Sequence, residues 1–121
     1  MNKIITVLFA LFISACNSKE DLRVDLHSFS EPHHVLTTHL DLNVEVDFEK
    51  EIIFGEALYE IQNLTGHNQL VLDVNGLEIN KVTIDNKESS FHLGDQDSIL
   101  GQPLIIDIDE DTKIVLSLIH I

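Results

Sequence analysis

Cysteine occurs once in 121 residues, tyrosine once, and tryptophan not at all. A single cysteine excludes an internal disulfide, whatever the redox compartment. Lysine and arginine number 7 against 21 acidic residues, a formal charge of −14. Binding to phosphate backbones needs clustered basic side chains, so this balance argues against nucleic acid as a partner. No Gly-x-Ser-x-Gly stretch is present, and the five glycines stand apart rather than forming a phosphate-cradling loop. None of the seven histidines is followed by glutamate, so the zinc-binding His-Glu-x-x-His pattern is missing. The only long apolar run, Ile4 to Ile13, is about half the roughly 20 residues a spanning helix needs. Beyond it no helical periodicity appears.

What is present begins at the N-terminus. Lys3, the apolar run and the small residues Ser14 and Ala15 have the form of a secretory signal. Ile13-Ser14-Ala15-Cys16 also resembles the bacterial lipobox, in which an aliphatic and two small residues precede an obligatory cysteine. That resemblance implies cleavage before Cys16 and acylation of its thiol and freed amine. Several acyl chains suffice for stable anchoring. We therefore expect residues 1–15 to be a lipoprotein signal peptide and 16–24 a polar tether. The lipidation site is Cys16, the membrane is the partner, and the location is the bacterial cell envelope, on its periplasmic face or the cell surface.

Residues 25–121 read as one all-β domain. Leu36, Thr38, Leu40, Leu42, Val44, Val46 and Phe48 alternate with Asp41, Asn43, Glu45 and Asp47, as in a strand with one buried face. A turn at Glu49-Lys50-Glu51 leads to a second alternating run from Ile53 to Ile61, with Gly55 marking a bulge or a close backbone approach. Further strands are expected over Gln69–Val74, Leu77–Ile84, Ser90–Leu93, Leu104–Ile108 and Ile114–Ile121. The turns fall at Asn75-Gly76, Asp85-Asn86-Lys87 and Asp109–Thr112. The rhythm slips at Asn80-Lys81, which predicts a bulge. Asp25 to Pro32 is expected to be an extended arm. The predicted architecture is an antiparallel, saddle-like β-sandwich of about seven or eight short strands. The last run, LSLIHI, reaches the final residue without a turn or polar tail, so we expect the domain to be truncated at its C-terminal end.

Candidate chemistry is sparse. His33, His34 and His39 lie close in sequence, but strand parity puts His34 on one face. It also sets His33 and His39 about 20 Å apart, too far to share an ion. The loops Asp95-Gln96-Asp97 and Asp109-Glu110-Asp111 lack the spacing of a dedicated calcium site. Acid pairs such as Asp107 and Asp109 read as charged turns. Asn63-Leu64-Thr65 matches a glycosylation pattern that carries no meaning on a bacterial lipoprotein. No catalytic or metal residue is predicted.

Several segments together resemble one family. Asp25–Pro32 is followed by THLDLNV (38–44), VDFEK (46–50), IFGEA (53–57), QLVLD (69–73) and LEINKV (77–82). This resembles the N-terminal β-domain of the M1-family zinc aminopeptidases of the aminopeptidase N and leukotriene A4 hydrolase type, the latter branch being nearer. The resemblance implies a non-catalytic domain that packs on a thermolysin-like catalytic domain, in which zinc and an activating glutamate remove N-terminal residues from peptides. The family's Gly-x-Met-Glu-Asn strand cannot be present, since Met1 is the sole methionine. No cofactor is therefore expected in this chain; zinc belongs to the missing or separate catalytic domain, and the chain alone is expected to be inactive. Two alternatives stand beside this one. The chain is a free-standing envelope lipoprotein that uses the β-domain as a binding module, or an enzyme by a route its motifs do not reveal.

Overall fold

The computed structural model describes residues 25–120. Among these residues there are eight strands: β1 (Val35–Asp47), β2 (Ile52–Asn63), β3 (Gln69–Val74), β4 (Glu78–Ile84), β5 (Lys87–Glu88), β6 (Phe91–Leu93), β7 (Gln102–Asp107) and β8 (Ile114–His120). They form a five-stranded sheet in the order β1-β2-β8-β4-β5 and a three-stranded sheet in the order β3-β7-β6. Every pairing is antiparallel. The two sheets share one core, with Ile61, Val82 and Val115 from the larger meeting Leu70, Leu104 and Ile106 from the smaller. This is the predicted all-β sandwich.

Turn chemistry explains the connections. Asp47 Oδ1 accepts from the backbone N–H of Glu49 and Lys50, and Lys50 Nζ donates to Asp47 Oδ2 at 2.8 Å. This closes the β1–β2 hairpin. Asp85 and Asn86 both adopt positive φ, the two-residue hairpin loop whose twist matches that of the strands it joins. The arm from Asp25, expected to be extended, instead turns at Leu26-His27 and is fastened to β3. Asp73 on β3 accepts from Ser28 Oγ at 2.6 Å and from the Phe29 N–H at 2.7 Å.

Two irregularities decide which side chains enter the core. The bulge expected at Asn80 is present, between the pairs Ile79–Ile119 and Lys81–Leu118. It lets Ile79 and Val82 point inward although they are three residues apart. A second bulge, at Thr38, was not anticipated. Upstream of it Val35 and Thr37 pair with Asn63 and Ile61; downstream Leu40 and Leu42 pair with Tyr59 and Ala57. The single face assigned to Leu36 through Phe48 is therefore two faces: Val35 is buried in the core, and Leu36 turns outward beside Gln62. Thr38 Oγ1 bonds the Glu60 carbonyl at the step. Gly55 is not a bulge, since it pairs in register with Val44. It is a close approach: a Cβ there would meet the Asn43 carbonyl oxygen and lie 2.7 Å from Val44 Cα.

Candidate functional site

One candidate surface follows from the unequal widths of the two sheets. β1 is the edge strand of the five-stranded sheet, and the facing sheet has only three strands, so the cover that holds Ala57 on β2 at 3% exposure does not reach its cross-strand partner Leu42. The inward row of Leu40, Leu42, Val44 and Val46 is consequently between 43% and 54% exposed, and Phe48 at the hairpin end is 87% exposed. The half-buried strand predicted from alternation is thus apolar on the inner side but largely uncovered. Where the sheets part, a groove of about 430 Å³ opens, floored by Leu42, Val44, Ala57 and Tyr59 and roofed by Leu72 and Leu77.

The groove is built to meet apolar matter, not to perform acid–base chemistry. Its titratable groups are Tyr59, whose hydroxyl burial pushes upward, and Asp73, which is engaged with the arm. Ser117 lies in the floor at 1% exposure, and among the described residues its hydroxyl has no hydrogen-bond partner.

A second constellation lies at the opposite end of β1. His33 and His34 precede the strand and sit in a turn held by the Glu31 carbonyl, which accepts from the N–H of His34 at 2.9 Å and of Val35 at 3.1 Å. Strand parity therefore does not apply to them. The turn gathers Glu31, His33 and His34, with one potential ligand atom of each lying within 4.8 Å of the others. His39, by contrast, is on β1 opposite Glu60. The pairing of Val35 with Asn63 brings the following loop alongside. His34 Nδ1 lies 2.9 Å from Thr65 Oγ1, and the His34 ring stacks on that of His67 at 4.6 Å and 9°. The sequence holds no spacing signal for His67, because the β1–β2 register delivers it.

The other candidates have structural work. Asp107 is bonded by Ser90 Oγ at 2.6 Å, which holds its carboxyl below the ordinary range. Asp97 accepts from the N–H of Ile99 and Leu100 and is lowered by those bonds. The acidic loops 95–97 and 109–111 do not converge on a set of ligands among the described residues. Cys16, the signal segment and the tether lie outside the described residues.

No family model matches the chain. Leucine aminopeptidase 2-1 of Scheffersomyces stipitis is 33% identical over 96 residues, which are 79% of this chain and 15% of that protein. Leucine aminopeptidase 2 of Candida albicans is 35% identical over 71 residues, 59% of this chain and 11% of that one. Leukotriene A-4 hydrolase of Xenopus laevis is 32% identical over 85 residues, 69% and 14%. The chain thus spans only between 11% and 15% of these relatives' lengths. Among solved structures, native leukotriene A4 hydrolase from Saccharomyces cerevisiae superposes with a TM-score of 0.75 at 24% identity, covering 84% of this chain and 17% of that one. The yeast enzyme in complex with bestatin gives 0.74 at 26% identity, covering 87% and 17%. Similar in sequence over most of its length and in fold over nearly all of it, the chain belongs with the N-terminal β-domain of the M1 aminopeptidases, on the branch of leucine aminopeptidase 2 and leukotriene A4 hydrolase.

Proposed function

We propose that the chain is the non-catalytic N-terminal domain of a membrane-anchored M1-type zinc aminopeptidase, whose other segments remove N-terminal residues from peptides. The observation that carries this is similarity along the whole domain to one end of much longer peptidases, with 33% identity over 96 residues. The exposed row on β1 supports it. Four side chains half out of water leave roughly 3–6 kcal/mol of burial ungained, comparable with the entire stability of a small domain. Such a face fits against further peptidase structure. The catalytic zinc finds no match here, since the chain has neither His-Glu-x-x-His nor Gly-x-Met-Glu-Asn, and no catalytic step is assigned to its residues. Lipid on Cys16 would hold the domain at the bacterial envelope.

The open groove also suits the second reading, a free-standing envelope lipoprotein that binds apolar partners. The coding sequence downstream separates the two. A frame within about a kilobase encoding both missing motifs supports the peptidase, and unrelated sequence refutes it. Purified full chain supplied with zinc is expected to show no turnover of aminoacyl-arylamides; turnover above background would overturn the assignment of a non-catalytic role. Anchoring is checked independently, since Cys16→Ala is expected to abolish metabolic palmitate labelling.

A further inference from the structure

We infer that Glu31, His33 and His34 form a binding site for a divalent transition-metal ion of borderline softness, with Zn²⁺ the best fit. Two imidazoles and one carboxylate are the donor set such ions take, with a fourth position left to water. The backbone supplies the convergence. The Glu31 carbonyl closes the turn on the N–H groups of His34 and Val35, so all three side chains leave one short, fastened segment. Their ligand atoms lie within 4.8 Å of one another, whereas tetrahedral zinc with bonds near 2.1 Å needs them about 3.4 Å apart. Glu31 is exposed, so its carboxylate can turn toward the two imidazoles by rotamer change.

His34 is already oriented for the task. His34 Nδ1 lies 2.9 Å from Thr65 Oγ1; in the tautomer whose Nδ1–H donates to that hydroxyl, the Nε2 lone pair is left for the metal. A hydrogen bond on the distal nitrogen is the usual device for fixing a ligand histidine. The stacked His67 ring restrains the same imidazole. His67 is itself fixed, since its N–H and carbonyl bond the two ends of the Asn63 amide at 2.9 and 2.7 Å. The net charge of −14 adds an attraction for cations over the whole surface.

The test is Zn²⁺ titration of the chelator-stripped full chain against a chromogenic competitor. One ion per chain is expected, with saturable binding in the micromolar range or tighter. His33→Gln and His34→Gln are each expected to weaken binding by at least about tenfold, and Thr65→Val, which removes only the orienting bond, by about tenfold. His39→Gln and His92→Gln, which change histidines outside the cluster, are expected to bind as the parent does. Thermal melts of the metal-free variants confirm that each is folded. Absence of saturable binding, or equal loss of affinity from His39→Gln and His33→Gln, would show adventitious histidine binding and overturn the site.

Discussion

At the scale of single residues, the strongest tension is the Ser117 hydroxyl, buried between the paired positions Ala57 and Val82. A buried hydroxyl without a partner costs about 1–3 kcal/mol. Ser117→Ala is therefore expected to stabilise the chain by about 1 kcal/mol, read from urea denaturation. Loss of stability would show that the hydroxyl is satisfied. Three aspartates make acid sensitivity predictable as well. Asp47 is held below its ordinary value of 3.8 first by the Lys50 ammonium, Asp107 by the Ser90 hydroxyl, and Asp97 by the Leu100 and Ile99 N–H groups. A lowered folded pKa stabilises fully above the ordinary value, and that contribution disappears as pH falls through the folded one. Melting temperature should thus fall below about pH 4, more steeply in the parent than in a triple Asp→Asn variant. All three side chains are exposed to solvent screening, so the effect is modest.

At the scale of elements, the core and the overhang of the large sheet make opposite demands. Ile106 is fully buried, and Ile106→Ala is expected to cost about 2–5 kcal/mol. Leu42→Gln and Val44→Gln alter an uncovered row and should change stability by less than about 1 kcal/mol. They should also lower binding of an apolar fluorescent dye; an unchanged dye signal would mean that the groove is not what the dye detects. This contrast shows what the sequence could and could not disclose. Alternation located β1 and β2 to within a few residues, and the slip between Ile79 and Val82 betrayed the Asn80 bulge. The Thr38 bulge left no such trace, because Leu36 and Thr38 continue the even-numbered pattern across it. Nor does alternation report coverage: Leu42 and Ile106 sit in similar local patterns, yet Leu42 lies on the edge strand of the larger sheet and Ile106 on the central strand of the smaller one. The turn of Glu31, His33 and His34 was hidden because parity is a property of strands, and β1 begins after it.

At the scale of the molecule, 21 acidic residues against 7 basic ones act on everything else. Self-repulsion opposes compaction and also keeps copies apart. That matters because β1, 13 residues long, is an edge strand among the described residues, where its outer backbone groups have no strand partner. Asp41, Asn43, Glu45 and Asp47 line its outward side, so a second copy approaching edge to edge meets like charge. Added salt at neutral pH is therefore expected to do two things at once. It should raise the melting temperature of the full chain and increase its self-association, seen by sedimentation. A melting temperature independent of salt would show that the acids are already balanced by local partners. The Debye length falls from about 30 Å at 0.01 M to about 8 Å at 0.15 M, so most of the change should occur in that interval.

The position of β8 has a temporal side. It lies between β2 and β4 in the large sheet, yet it is the last described strand to be synthesised. Emerging from the ribosome, the β1–β2 hairpin and the β4–β5 hairpin wait as separate pieces, with their inner edges open, until residues 114–120 arrive to join them. At roughly 5–20 residues per second the wait is seconds long. Until then the inner edges of both hairpins stay open, and the large sheet is joined by a later strand rather than grown outward from its first hairpin.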